Sequence, residues 1–120
     1  MIKTTFFETQ AGQIVGFSTT SHGDPIVCAA VSALTLNTVN AIENFCKLTP
    51  ADTTIEADLT NKGHLVFILK NAAQRDTGAG LLLDSLSFGL IDIQNQNPGQ
   101  LNIDFTHITQ SPYPHQFKGV

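Results

Sequence analysis

The sequence predicts an α+β fold in which a mostly antiparallel sheet packs against two helices. Three observations carry that reading. Short β-branched, aromatic or alternating segments stand near both ends and in the middle of the chain. Two long stretches carry apolar residues at helical spacing, and turn formers separate the segments into the order ββαββαβ. With no internal repeat and no linker, one α+β domain over 1–108 is expected. The stretch 109–120, with two prolines and no periodicity, is expected to be a flexible C-terminal tail.

The elements follow in order. Residues 2–8, IKTTFFE, are rich in β-branched and aromatic side chains and read as a strand. Gln10-Ala11-Gly12-Gln13 turns the chain into a second strand over 14–18, and the polar stretch TTSHGDP at 19–25 reads as a loop. From Val27 to Leu48 the spacing is helical, with Leu34, Thr38, Ala41 and Phe45 on one stripe and Pro50 beyond the end. Ile55, Ala57 and Leu59 alternate with acidic residues as a half-buried strand, and HLVFIL at 64–69 returns as a more buried one. Asp76 or Thr77 can cap a second helix running to about Gln96, where Asn97-Pro98-Gly99 stops it. Leu101, Ile103 and Phe105 alternate as the last strand.

Composition narrows the function. Hydrophobic residues make up 42% of the 120 and charged residues 13%, which favours a packed globule over disorder. The net charge of −4 and the lack of a Lys/Arg stripe argue against direct nucleic-acid binding, and a basic protein or peptide is the better-matched partner. The start, MIKTTFFETQ, lacks the apolar core of a signal peptide, and no apolar stretch looks long enough to span a bilayer. A cytoplasmic protein with no membrane partner is expected. Cys28 and Cys46, eighteen residues apart on one expected helix, would stand roughly 27 Å from each other, too far for a disulfide. Two free thiols in a reducing compartment follow.

Chemistry concentrates in GDPIVCAAVS, residues 23–32. Cys28 is expected as the first or second residue of the helix, beside unsatisfied N–H groups and the positive end of the macrodipole, where a negative charge on sulfur is favoured. The Gly23-Asp24-Pro25 turn leaves room for a substrate, and Ser32 places a hydroxyl one turn further on the same face. A small core residue at a helix start is the alternative reading of Cys28.

The run from Gly23 to Leu34, with Ile26 to Leu34 as its specific part, resembles the ribosomal-processing cysteine protease (Prp) family. The upstream hairpin reaching Gly16, the run Asn37-Thr38-Val39-Asn40 and the second helix ending at Asn-Pro fit as well, so the likeness covers roughly 1–106. It implies a small dimeric α/β protein, working without a cofactor, that trims the N-terminal extension of a basic large-subunit ribosomal protein. Cys28 would be its nucleophile. The family places Gly-His-Ala at the end of the second strand, the histidine acting as base, where this chain is aligned as Gly16-Phe17-Ser18. It also carries an aspartate where Pro25 stands, with Asp24 one position earlier. His22, six residues before Cys28, can fold back over the helix start as a replacement base oriented by Asp24. The alternative is a catalytically impaired relative that binds the same peptide without cleavage.

Other strings weigh less. Asp76-Thr77-Gly78-Ala79 spells the signature of dimeric aspartic proteases, but an Asp N-cap before a helix explains it without chemistry. Gly78-x-Gly80 lacks the remaining residues of a phosphate loop. The segment 71–80 is expected as a loop over the Cys28 site. His22, His64, His107 and His115 show no ligand spacing, so no metal is expected. Cys46 is expected in the core in mid-helix, and Gly89 as a point of close approach for a helix or a second subunit.

Overall fold

The computed structural model describes residues 1–20, 23–58 and 64–108. Its elements are β1 (Ile2–Glu8), β2 (Ile14–Thr20), α1 (Pro25–Phe45), β3 (Thr53–Asp58), β4 (His64–Leu69), a 3-10 turn (Asn71–Arg75), α2 (Thr77–Gln96) and β5 (Leu101–His107). The predicted order ββαββαβ holds. The tail assigned to 109–120 lies outside the described residues.

The five strands form one sheet in the order β3-β4-β2-β1-β5. Three of its four pairings are antiparallel, and β1 with β5 is parallel. The sheet is therefore mixed, for a reason that lies in its connections. Each helix is a crossover: α1 carries the chain from β2 over β4 to the edge position of β3, and α2 carries it from β4 to the opposite edge at β5. Strands joined by such a crossover run in the same direction. Chain order alone does not show which edge a crossover reaches.

Alternation splits the sheet into two faces. Ile2, Phe6, Phe17, Leu65, Phe67 and Leu69 point to one side and join Val27, Val31, Val39 and Ile42 of α1 and Leu83, Leu86 and Leu90 of α2 in the main core. Both helices thus cover the same face. The other face carries a separate cluster of Phe7, Val15, Val66, Ile68 and Ile108. A register shift between Phe7 and Glu8 lies opposite β2, where Gly16 pairs with Ile68. A Cβ on Gly16 would stand 2.5 Å from the Phe67 carbonyl oxygen, so only glycine fits there. One buried polar pair, Thr4 and Thr19, satisfies itself with a 2.8 Å hydroxyl–hydroxyl bond across β1 and β2.

The helices run antiparallel to each other. Leu34 of α1 packs over Gly89 of α2, where an added Cβ would be 3.2 Å from Leu34 Cδ1. The expected close approach at Gly89 is therefore made within the chain. At one end α2 begins beside Cys46, and at the other Gln94 Oε1 accepts the Ile103 N–H at 2.9 Å, tying α2 to β5. The expectation that no segment is long and apolar enough to span a bilayer needs correcting: α1, at 21 residues, is. Its apolar stripe of Val27, Val31, Val39 and Ile42 packs into the main core, the use a buried helix of this composition has.

Candidate active site

The start of α1 is set by a local pair, Asp24-Pro25. Asp24, with φ −54° and ψ 129°, is the N-cap, and its Oδ2 accepts the N–H groups of Ile26 at 3.0 Å and Val27 at 3.1 Å. Pro25 takes the first helical position, where the N–H it lacks is not needed. The helix therefore begins two residues earlier than the apolar spacing indicated, and Cys28 is its fourth residue rather than its first or second. Its N–H donates to the Asp24 carbonyl at 2.8 Å, the first full turn of the helix.

This changes what the helix start can do. Pro25 has no N–H, Ile26 and Val27 donate to the Asp24 carboxylate, and Cys28 donates to the Asp24 carbonyl. These amides are therefore not free to hold an oxyanion, because the cap has already used them. The Asp24 carboxylate likewise spends Oδ2 on the helix.

Cys28 is half-buried and packs against the main core, with Ser32 one turn on, also half-buried and on the same side of α1. Gly23 is exposed in front of the cap, and a Cβ there would meet Ile2 Cγ1 at 3.3 Å, so the chain passes close to the start of β1. Ile26, 79% exposed, leaves an apolar side chain in solvent beside the thiol's turn of helix. Cys28, Gly23, Asp24 and Ser32 are thus brought to one end of the fold. His22 lies outside the described residues.

Phe17 has a structural place of its own. It is fully buried in the middle of β2, paired with Phe6 on one side and Phe67 on the other, with ring centroids 6.2 and 6.1 Å away. Strand β2 continues three residues past it, to Thr20.

Cys46 and Asp76 meet at the opposite end of α1. Cys46 is the C-cap of the helix, half-buried, and not a mid-helix core residue as expected. Burial raises its thiol pKa above the ordinary value, and the charge of Asp76 and a hydrogen bond to it raise it further. Asp76 Oδ1 accepts the Ala79 N–H at 2.8 Å as the N-cap of α2. The Asp-Thr-Gly-Ala string is thus a helix start. Because Asp76 faces Cys46, the segment 71–80 sits at the far end of α1 from Cys28 and is no cover for it. Among the described residues no three His, Cys, Asp or Glu side chains converge as a metal site.

Comparisons with known proteins agree with this architecture. The fold matches the crystal structure of SMU.848 from Streptococcus mutans with a TM-score of 0.77 and 25% identity, covering 90% of this chain and 99% of that one. It also matches an essential ribosomal processing protease Prp from S. aureus, solved with a covalently linked product peptide, with a TM-score of 0.74 and 24% identity over 88% of this chain and 100% of that one. The same protease with a substrate peptide gives a TM-score of 0.74 at 22% identity, with the same coverage. No curated protein sequence matches the chain. The family model of cysteine protease Prp matches residues 1–102, which takes in both strands before Cys28, both helices and the first residues of β5. With its one cysteine-bearing helix start inside that match, the chain belongs to the Prp cysteine protease family.

Proposed function

We propose that the protein is a cysteine endopeptidase that trims the N-terminal extension of a basic large-subunit ribosomal protein, with Cys28 as nucleophile and His22 as base. The observation that carries this reading is the placement of Cys28: half-buried in the first turn of α1, behind an exposed Gly23, inside the span matched by a protease family. The S. aureus neighbour, solved with a covalently linked product peptide and with a substrate peptide, supports peptide as the ligand class.

In the proposed reaction the Cys28 thiolate attacks the scissile carbonyl carbon, and His22, having taken the thiol proton, returns it to the leaving amine. A thioester to Cys28 remains, and water attacks it to release the acid and restore the thiol. His22 suits the base for a second reason. The family pattern sets its histidine at the end of the second strand, and β2 ends at Thr20, two residues before His22 and three after Phe17. The oxyanion must be held by groups other than the amides of Ile26, Val27 and Cys28, which are bonded already. A cytoplasmic homodimer is part of the proposal, and Leu81, Phe88 and Ile91 along the outer side of α2 supply an exposed apolar stripe for it.

The bonded amides also favour a second reading, a relative that binds the peptide but does not cleave it. One experiment separates the two: incubation of the purified chain with a ribosomal-protein precursor carrying its extension, followed by mass spectrometry. Cleavage that Cys28→Ala abolishes and His22→Ala strongly reduces supports the protease. Stable binding with no cleavage by the unaltered chain supports the binder. Full activity in His22→Ala removes His22 as base, and activity that survives Asp76→Asn removes the aspartic-protease reading.

A further inference from the structure

The far end of α1 carries a surface unused by the proposed chemistry. Strand β3 is an edge of the sheet, bonded only to β4. Among the described residues nothing pairs with its outer backbone edge, and Ile55, Glu56 and Ala57 are all exposed. Exposed edges are ordinarily blunted by Lys or Pro, and the strand, TTIEAD, has neither. Beside it, between β3 and the end of α1, lies a groove of about 220 Å3 lined by Glu43, Leu48, Thr49, Pro50, Thr53 and Ile55. Leu48, Pro50 and Ile55 make its apolar part.

The charge around this groove selects the occupant. Glu43 lines it, and Glu56 is exposed on the adjoining strand, on the face of the sheet turned away from the groove. Asp52 adds a carboxylate whose pKa is lowered by hydrogen bonds from the Thr49 N–H and hydroxyl, with Lys70 contributing. Among the described residues the cations here are Lys47, exposed, and Lys70, which faces Asp52. The negative pole of α1 ends at the groove with no basic residue in its last turn. A second copy of β3 is a poor occupant where it pairs antiparallel about Glu56, since that register sets the two Glu56 carboxylates opposite each other on one face.

We propose that β3 and this groove dock an extended cationic peptide segment of a partner protein as a sixth strand, with an apolar side chain in the groove beside Ile55 and a Lys or Arg on the opposite face of the sheet toward Glu56. The main chain would supply affinity, and the groove and carboxylates would supply choice. This surface goes beyond the proposed cleavage site, because the helix from Cys28 to Phe45 separates the two by about 26 Å.

The test uses the full chain carrying Cys28→Ala, so that binding is read apart from any turnover. The probe is a fluorescein-labelled ten-residue peptide alternating valine with lysine, followed by anisotropy at low salt. A copy with glutamate for lysine is the control. The expected result is binding of the lysine peptide at least about tenfold tighter than the control, weakening as salt rises. Ile55→Lys is expected to weaken it about tenfold, and Glu56→Gln about threefold, the scale of an exposed ion pair. Hydrogen exchange should show new protection within 53–58. Glu56→Lys, at an exposed position, guards against a folding defect in Ile55→Lys. Unchanged binding in both Ile55→Lys and Glu56→Lys, protection confined to other strands, or a change in oligomeric state as the only effect of Ile55→Lys would overturn the proposal. Because Cys28 is absent from the assay, loss of the cleavage reading leaves this result standing, and the reverse also holds.

Discussion

At one end of α1, Cys28 follows an Asp-Pro cap and lies half-buried behind an exposed glycine; at the other, Cys46 closes the helix against the Asp76 carboxylate. The two thiols share a helix, a burial class and an acidic neighbour. What differs is what each carboxylate does. Asp24 turns its charge onto the amides of α1, so that it is bonded to the helix that carries Cys28. Asp76 caps a different helix and presents its charge to the Cys46 sulfur, at the helix pole that is itself negative. Burial class alone therefore says little about a cysteine. The pole of the helix and the bonding of the nearest carboxylate decide how readily sulfur takes a negative charge.

The widest gap between the ends should appear in turnover. With a precursor peptide as substrate, Cys28→Ala is expected to lower kcat/KM by at least about a thousandfold, the usual scale for deleting a nucleophile. Cys46→Ala should stay within about twofold, since it removes only a packed thiol far from the reaction. Comparable losses in both variants would erase the contrast and point to a shared folding effect.

A smaller gap is expected in alkylation, which needs no substrate. With iodoacetamide at neutral pH and peptide mapping, Cys28 should react at least about tenfold faster than Cys46, whose thiol is held protonated. Asp76→Asn sharpens the point, because asparagine still caps α2 while the charge facing Cys46 is gone. The Cys46 rate should then rise about three- to tenfold, with the part of the shift due to burial left in place. The sign of the matching pH effect is fixed. A thiol whose pKa is raised on folding contributes stability that is fully present below its ordinary value of 9.0 and is lost as pH rises through the folded value. Urea midpoints of the parent chain should fall more steeply above about pH 9 than those of Cys46→Ala.

The contrast also shows what the chain discloses as a sequence. The strands were legible from their β-branched and aromatic content or alternation, as in IKTTFFE and LNIDF, and the second helix because its leucines keep one period. The cap of α1 was legible in principle. Asp-Pro directly before an apolar run is an N-cap followed by a first-turn proline, and weighing Asp24-Pro25 only as a turn displaced the helix start and the position of Cys28 within it. The meeting of Cys46 with Asp76 had no local signal, because it joins residues thirty positions apart across the β3–β4 hairpin. The parallel pairing of β1 with β5 was hidden for the same reason. Strand β2 was expected to end at Ser18, but it runs to Thr20 with Phe17 buried between Phe6 and Phe67, because its inward side chains continue the pattern into the polar stretch.

The smallest effect falls on Asp24, where capping and catalysis make different demands. If the carboxylate serves only the helix, an amide oxygen serves as well, and Asp24→Asn should unfold within about 0.5 kcal/mol of the parent. Asp24→Ala leaves the Ile26 and Val27 N–H groups without their partner and should cost about 1 kcal/mol in urea unfolding, with α2 and its own cap untouched. Activity divides the roles further. A carboxylate that also orients His22 supplies a charge that asparagine lacks, so Asp24→Asn would keep its stability and lose kcat, with KM little changed. Equal activity in Asp24→Asn and the parent would confine Asp24 to the cap. In that case the difference between the two ends of α1 would rest on the helix pole and on His22 alone.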